Sequence, residues 1–180
     1  MKVILFCSIS IDGKIARNVN DDLWWTGRAD KKMFAELSRK IGVVIFGRRT
    51  YDQMLLIYRR LGRMDRLTKN RLIKVMTRKV KSSRFVEEQV EFTNNSPKDV
   101  LRELEDRGFG GVVIGGGAQI NCLFLKQDLV DEIWLSLAPV LLGKGLDLVV
   151  SDRFLDKRMK LLKIEKIDAD GVILKYRVLK

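Results

Sequence analysis

Short apolar runs alternate along the chain with longer segments in which apolar residues recur every three or four positions. A short apolar or β-branched run is typical of a buried strand, and the longer period is typical of a helix that packs one face on a core. The runs predict strands at residues 2–9, 43–46, 72–76, 85–86, 90–92, 112–114 and 133–138. The longer period predicts helices at residues 30–41, 98–107 and 118–126, and a helix that opens at 47–50 and gives way to a loop before 70.

The C-terminal segment has a different pattern. Residues 161–167 and 172–179 alternate around a turn at residues 168–171, which predicts a β-hairpin. Strands that alternate with helices, followed by antiparallel strands, predict an α/β fold of three layers. We expect helices on both faces of a central mixed, mostly parallel sheet, in a single domain over residues 1–180.

Composition limits the chemistry. The chain has no histidine and two cysteines, Cys7 and Cys122, which lie in apolar surroundings. We therefore expect buried free thiols, no metal site and no histidine base, so that proton transfer must use Asp, Glu, Tyr, Lys or water. No apolar run approaches the roughly 20 residues of a membrane span, and no signal peptide is recognisable, so we expect a cytoplasmic protein without a membrane partner.

The net charge of +12 favours anionic partners, such as phosphorylated metabolites, phosphorylated cofactors or nucleic acid. A Lys/Arg-rich surface of a heat-adapted protein would give the same excess. Residues 59–84 carry eleven Lys/Arg and one acid, Asp65. Because aromatic residues are sparse in this segment, nucleic-acid binding is only a remote alternative for the main function.

Three consecutive glycines, Gly115, Gly116 and Gly117, separate a predicted strand from a predicted helix. Glycine lets the backbone approach a ligand closely, and a helix start offers unpaired N–H groups to a phosphate. The pattern therefore predicts a site for a cofactor pyrophosphate, although a tight turn alone also requires glycine. The spacing differs from the G-x-G-x-x-G dinucleotide fingerprint.

Several motifs follow one another in a specific order and spacing. They are SISIDGKIA (residues 8–16), FGRRT (46–50), VMTR (75–78), VIGGG (113–117), LVDEI (129–133) and APVLLGKG (138–145). With these motifs the chain resembles the dihydrofolate reductase-like superfamily. It is most similar to the reductase domain of the riboflavin-pathway deaminase-reductases and to some short bacterial dihydrofolate reductases.

The resemblance implies NADPH as the cofactor. The N–H groups at residues 47–50 and the Thr50 hydroxyl can take a phosphate, with charge from Arg48 or Arg49. Thr77 and Arg78 match the family's contacts to the 2′-phosphate, although an exposed arginine after a strand is also an ordinary feature. The implied cofactor-binding residues are Gly47, Arg48, Arg49, Thr50, Thr77, Arg78, Gly115, Gly116, Gly117, Ala118, Gln119 and Ile120.

The resemblance also implies that the turn at Asp12, Gly13 and Lys14 lies over the active site, where the lysine can hold a ribosyl phosphate. An ordinary Asp-Gly turn with a solvated lysine is the alternative. The candidate substrate-binding residues are Ser8, Asp12, Lys14, Trp25, Phe34 and Arg71.

Asp30 is the candidate catalytic residue. It lies four residues before Phe34, so both side chains face the same side of a helix. In the family, an acid in this region binds the amidine edge of a pterin, and Arg71 matches an arginine for the folate tail carboxylate. Without the family, Asp30 is an acid that stabilises a helix N-terminus.

We therefore expect an NADPH-dependent reductase of a C=N bond, in first place a 5-amino-6-(5-phosphoribosylamino)uracil reductase of riboflavin biosynthesis. Dihydrofolate reductase is the alternative, and a relative that lost the reaction is a third interpretation. The usual Asp-Asp-Pro of the riboflavin reductases is replaced by residues 52–54 (DQM), and the usual Leu-Pro of the dihydrofolate reductases by residues 68–69 (TK). Family members are commonly homodimers, and the apolar segment 133–142 could form such an interface.

Overall fold

An eight-stranded sheet forms the centre of the computed structural model, which describes residues 1–79 and 89–180. The predicted strand at residues 85–86 and part of the basic segment 59–84 lie outside these residues. In chain order the strands are β1 (Lys2–Ile9), β2 (Lys14–Ala16), β3 (Val43–Gly47), β4 (Leu72–Met76), β5 (Val90–Thr93), β6 (Gly111–Ile114), β7 (Glu132–Leu137), β8 (Leu146–Asp147), β9 (Met159–Lys166) and β10 (Val172–Val178).

The helices are α1 (Arg28–Ile41), α2 (Arg48–Arg60), α3 (Pro97–Asp106) and α4 (Ala118–Lys126). Short 3₁₀ turns at Trp24–Thr26 and Met64–Arg66 precede α1 and β4. The helix predicted over 30–41 thus begins two residues earlier, and those predicted at 98–107 and 118–126 agree within one residue. Ser96 caps α3 as its sequence predicts, since its hydroxyl accepts a hydrogen bond from the Asp99 N–H and Pro97 occupies the first turn.

The sheet is mixed and mostly parallel, as predicted. Its strand order is β5-β4-β3-β6-β1-β7-β10-β9. The first six strands of this order pair in parallel, whereas β10 pairs antiparallel with both β7 and β9. The last two strands form the predicted C-terminal hairpin. Because β7 is paired on both sides, a dimer interface at residues 133–142 would have to use its side chains rather than a free strand edge.

Helices cover both faces of the sheet, which gives the predicted three layers. Phe34 of α1 and Tyr51 of α2 pack with Phe6 and Phe46 on one face. Val100 and Leu104 of α3 and Phe124 of α4 pack with the opposite face. The strands β3 and β6 are apolar on both sides because they lie between the two helical layers.

A second, two-stranded sheet was not predicted. Residues 14–16, immediately after the Asp-Gly turn, pair antiparallel with β8. This pairing draws residues 138–149, here called the strap, against the turn at residues 10–14.

The described residues contain no helix that is long and apolar enough to cross a membrane. Within the same residues no group of three or more Cys, Asp or Glu side chains could hold a metal ion. Cys7 and Cys122 are buried free thiols, as the sequence predicts.

Candidate active site

Two glycine-containing turns meet at the carboxyl ends of β3 and β6. The Gly47 N–H donates to the Gly116 carbonyl at 2.9 Å, and the peptide bond between Gly116 and Gly117 is cis. A Cβ at Gly117 would lie 2.9 Å from the Thr50 Oγ1, and one at Gly115 would lie 2.2 Å from the Phe46 ring. The close approach of the two turns therefore requires glycine at both positions.

Both turns lead into helix N-termini that lack a side-chain cap. Gly47 precedes α2 and Gly117 precedes α4, and neither helix receives a capping hydrogen bond from a side chain at that position. Their first N–H groups, together with the positive ends of two helix dipoles, suit an anion. A pyrophosphate can bind in a backbone cradle of this kind, so the residues present fit a dinucleotide cofactor.

The structure distinguishes the two arginines at the start of α2. The Arg48 Nε donates to both carboxylate oxygens of Asp52 at 2.8 Å, and its guanidinium lies 5.1 Å from the centre of the Phe92 ring. Arg49 is exposed and forms no ion pair with the described residues. Arg49 is therefore the more available charge, while Arg48 is already engaged.

The other candidate cofactor residues lie close by in the topology. Thr77 follows β4, where its N–H donates to the Thr93 carbonyl at 2.9 Å, and Arg78 beside it is exposed. Ala118, Gln119 and Ile120 form the first turn of α4, with Gln119 exposed. Gly47 packs against Ile120, since a Cβ at Gly47 would lie 2.9 Å from that side chain.

Asp30 lies in the first turn of α1 but faces the sheet rather than solvent. It is only 4% exposed. The Ser8 hydroxyl donates to its Oδ2 at 2.7 Å, and its Oδ1 is buried without a hydrogen-bond partner among the described residues. Ser8 of β1 is in register with Ser136 of β7, so the carboxylate lies over the ends of two neighbouring strands.

Burial raises the pKa of Asp30, and the nearby hydroxyls of Ser136, Ser8 and Thr26 partly offset this by favouring the ionised form, although among the described residues only the Ser8 hydroxyl reaches hydrogen-bond geometry. Burial, with a smaller effect of the Asp30 charge, also raises the pKa of Cys7 to about 12. Cys7 is thus a protonated thiol at neutral pH and does not compete as a nucleophile. An acid that holds its proton more tightly than usual is suited to proton transfer near neutral pH.

Asp12 connects the Asp-Gly turn to the strap. Its Oδ1 accepts hydrogen bonds from the Ser10 hydroxyl at 2.6 Å and the Leu142 N–H at 3.1 Å, and its Oδ2 accepts from the Gly143 N–H at 2.7 Å. These hydrogen bonds, that of Ser10 first, lower the pKa of Asp12 to about 2. Both carboxylate oxygens of Asp12 are thus already hydrogen-bonded within the protein.

Lys14 is paired as well. Its Nζ lies 2.6 Å from the Asp147 carboxylate, across the two-stranded sheet. The hydrogen bond to Asp147 raises the pKa of Lys14, which stays a cation. The lysine side chain retains 23% exposure, so a substrate phosphate could reach it in competition with Asp147.

Trp25 is buried. Its side chain stabilises a loop and does not form an exposed surface. Its indole Nε1 donates to the Asp21 Oδ2 at 3.0 Å. Burial opposes ionisation of Asp21, but hydrogen bonds from Arg17, Leu23 and Trp25 keep its pKa below the usual value. The indole therefore fixes the segment that leads into α1 and Asp30.

Phe34 of α1, and Arg71, which binds Ser38 of the same helix, lie beyond Asp30 along α1. Phe34 lies one helical turn beyond Asp30 and contacts Phe6 and Phe46, with ring centroids 5.4 and 6.0 Å apart. Arg71 is only 3% exposed, donates from Nε to the Leu67 carbonyl at 2.9 Å, and binds the Ser38 hydroxyl through Nη1. Its Nη2 is buried without a partner among the described residues.

Sequence reasoning missed four residues of this region: Asp21, Asn121, Ser136 and Asp147. Asn121 is fully buried and donates from Nδ2 to the Leu148 carbonyl of the strap at 2.9 Å. A polar residue on the apolar side of a predicted helix was the available signal for Asn121. Nothing in the local pattern indicates that Asp147 pairs with Lys14, because the two lie 133 residues apart.

Residues 1–173 match the family model described as the RibD C-terminal domain. The chain belongs to the RibD C-terminal domain family. This membership confirms the resemblance to the riboflavin-pathway reductase domain. Among curated proteins, the chain is 27% identical over 150 residues to the uncharacterized protein YwjB of Bacillus subtilis (strain 168), covering 82% of each chain.

Solved structures share the architecture. A protein of Shewanella sp. PV-4, provisionally named for riboflavin biosynthesis, is 24% identical with a TM-score of 0.82, and the match covers all of both chains. The Thermotoga maritima diaminohydroxyphosphoribosylaminopyrimidine deaminase/5-amino-6-(5-phosphoribosylamino)uracil reductase is 21% identical with a TM-score of 0.77. That match covers 99% of this chain and 56% of the bifunctional one. At these identities the likeness establishes the dihydrofolate reductase-like fold alone.

Proposed function

We propose that this RibD-family chain is an NADPH-dependent reductase of a C=N bond, acting on a phosphoribosylamino-pyrimidine of the 5-amino-6-(5-phosphoribosylamino)uracil type. One observation carries the proposal. The uncapped N-termini of α2 and α4 and the buried carboxylate of Asp30 lie at the same edge of the sheet, at the ends of β3, β6, β1 and β7. Ligands of parallel α/β sheets bind at this edge.

The strand order divides this edge into two halves. The ends of β4, β3 and β6 carry Arg78, Thr50 and the glycine turn, which we assign to the cofactor. The ends of β1 and β7 carry Ser8 and Ser136 beneath Asp30, which we assign to the substrate. Since β6 and β1 are neighbours, reactants bound in the two halves would be adjacent, and their fixed positions would supply much of the rate enhancement.

When bound, reduced nicotinamide supplies a hydride to the carbon of the C=N bond, and the nitrogen then needs a proton. Among the described residues at this edge, Asp30 is the acid that is buried and has only one of its two carboxylate oxygens in a hydrogen bond. Its free Oδ1 can hold the proton itself or orient a water that delivers it. Ser8 fixes the carboxylate through Oδ2, so that Oδ1 keeps one orientation.

The substrate phosphate would bind at Lys14. This lysine belongs to β2, and its side chain is partly exposed beside Asp147. A phosphate presents more acceptor oxygens than a carboxylate and would compete for the same charge. Trp25 and Asp12 would act indirectly, by fixing the segments around the substrate.

A second candidate, dihydrofolate reductase, rests on a separate observation. Asp30, Phe34 and Ser38 are spaced four residues apart along one side of α1, and Arg71 contacts both Ser38 and the Phe34 ring. Asp30 and Ser38 are separated by about 12 Å along the helix axis, the rise of eight residues, and the guanidinium of Arg71 lies between Ser38 and the Phe34 ring. A substrate with an amidine at one end and a carboxylate at the other would suit this arrangement.

The decisive assay follows NADPH oxidation with the ribosylamino-pyrimidine phosphate and dihydrofolate side by side, in the wild type and in Asp30→Asn and Arg71→Lys. Turnover of the pyrimidine alone, lost in Asp30→Asn, supports the first proposal. Turnover of dihydrofolate with a raised KM in Arg71→Lys supports the second and rejects the first. Tight NADPH binding without turnover of either compound would reject both substrates, and absence of NADPH binding would reject the assignment as a reductase.

A further inference from the structure

Asn121 lies between the cofactor half and the substrate half of the site. It is completely buried in the first turn of α4, directly behind the glycine turn. Its backbone N–H donates to the Gly117 carbonyl at 3.0 Å, and its Oδ1 lies 3.9 Å from the position of a Cβ on Gly116. The side-chain oxygen therefore lies beside the turn that we assign to the cofactor, and a Cβ on Gly116 would touch it.

The other end of the same amide holds the strap. The Asn121 Nδ2 donates to the Leu148 carbonyl at 2.9 Å. The neighbouring residue, Asp147, pairs with Lys14, and the strap is also bound to Asp12 through the N–H groups of Leu142 and Gly143. One side chain thus connects the region of the glycine turn to a segment that is bound to Asp12 and Lys14 of the substrate turn.

The amide is only half satisfied. Its Oδ1 is buried without a hydrogen-bond partner among the described residues. A buried polar group without a partner is costly, and an apolar residue of similar size could fill this space without that cost. The tether to Leu148, together with the position beside the glycine turn, gives the amide a role that an apolar residue could not perform.

We propose that Asn121 is a positioning residue that couples occupancy of the glycine turn to the ordering of the strap, and so links cofactor binding to substrate binding. The inference rests on the proposed function, because it takes the glycine turn as the cofactor site. Linkage requires that the coupling be reciprocal, so cofactor and substrate each raise the affinity for the other by the same factor.

The test is hydrogen exchange of the strap peptide, residues 138–149, with and without NADPH. We expect NADPH to slow exchange in the wild type. In Asn121→Ala, exchange should be faster without ligand and unaffected by NADPH, and the NADPH Kd should rise about 5-fold or more. Leu123→Ala, an exposed position on the same helix, is the matched control and should behave as the wild type.

Steady-state kinetics give a second readout. We expect Asn121→Ala to raise KM for the pyrimidine substrate more than it lowers kcat, because the residue acts on the strap and not on the reacting atoms. Asn121→Ser, which keeps a shorter donor, serves if the alanine variant does not fold. A coupling factor between NADPH and substrate that is unchanged in the variant contradicts the inference.

Failure of this inference and failure of the proposed function give different results. If the wild type binds NADPH but strap exchange does not change, the coupling is wrong and the proposed function stands. If NADPH protects the strap equally in the wild type and Asn121→Ala, Asn121 is not the link. If calorimetry detects no NADPH binding to the wild type, the proposed function fails and the inference fails with it.

Discussion

The Ser8 hydroxyl donates a 2.7 Å hydrogen bond to the Asp30 carboxylate across the boundary between β1 and α1. This contact fixes Oδ2 and leaves the buried Oδ1 without a partner among the described residues. A carboxylate held in this way is costly for the fold and available for chemistry. Such a site commonly trades stability for activity.

The first prediction is that Asp30→Asn stabilises the protein and inactivates it. Burial raises the pKa of Asp30, so the folded state binds the proton more tightly than the unfolded chain does. Stability of the wild type should therefore fall as pH rises above about 4, the usual aspartate pKa, and level off above the folded pKa. The amide removes this penalty, and a gain of ~1 kcal/mol would raise Tm by about 2–4 °C at pH 7.

Thermal unfolding of both proteins between pH 4 and 8, together with turnover, checks this prediction. We expect kcat to fall about 10²–10⁴-fold, the usual contribution of a positioned acid, while NADPH affinity stays within about 2-fold. Ser8→Ala should lower kcat less, because it releases only Oδ2. A variant with lower Tm and normal turnover would show that Asp30 has a structural role.

The sequence predicts the layers and most element bounds because those depend on local periodicity. Short apolar runs such as residues 43–46 and 112–114 favour buried strands, and both are completely buried in the sheet. The serine–proline start of α3 is likewise a local signal. Asp30 is a candidate because the family resemblance implies an acid in this region, whereas its spacing from Phe34 indicates only that both side chains lie on one side of α1.

What the sequence did not reveal depends on contacts between distant segments. Asp12 and Lys14 appear in sequence as free charges, yet their partners lie 130 or more residues away in the strap. Arg71 appears as one arginine in a basic segment, yet it is nearly completely buried. Charge partners and burial of this kind are set by tertiary packing, and no local pattern encodes them.

The second prediction concerns Lys14. If this lysine binds the substrate phosphate, Lys14→Met should raise KM for the phosphorylated pyrimidine about 10–100-fold, the usual range for a hydrogen bond to a charged group. KM for dihydrofolate should not change. Asp147→Asn breaks the same ion pair but keeps the amine. Equal effects of the two substitutions on KM would mean that Lys14 only holds the strap.

The third prediction concerns cofactor choice. Arg78 is exposed at the end of β4, where a guanidinium can pair bidentately with a phosphate. We expect Arg78→Ala to reduce the preference for NADPH over NADH about 10-fold or more, through a higher KM for NADPH with KM for NADH unchanged. Arg158→Ala, an exposed arginine far along the chain, controls for net charge. Equal loss with both cofactors would assign Arg78 to another role.

The fourth prediction concerns the glycine turn. A Cβ at Gly117 would lie 2.9 Å from the Thr50 Oγ1, so Gly117→Ala must displace the Thr50 hydroxyl in the first turn of α2. We expect weaker NADPH binding, by about 10-fold, with a change in Tm of only a few degrees. Gly110→Ala is the matched control, because a Cβ there meets nothing within 4 Å. Unchanged NADPH affinity in Gly117→Ala would separate this turn from the cofactor.

The fifth prediction concerns acid stability. Hydrogen bonds from Ser10 and the strap hold the pKa of Asp12 at about 2, below its unfolded value. The stability that this carboxylate contributes should be complete above about pH 4 and lost as pH falls towards 2. In Asp12→Asn an amide N–H₂ must face a backbone N–H of the strap, so Tm should be lower at neutral pH.

The difference in Tm between the wild type and Asp12→Asn should therefore shrink as the pH falls from 4 to 2. Asp170→Asn, an exposed acid in the turn between β9 and β10, controls for the change in net charge. Hydrogen exchange should locate the loss in the strap, because Leu142 and Gly143 donate to Asp12. A Tm difference that does not vary with pH would mean that the carboxylate of Asp12 does not hold the strap.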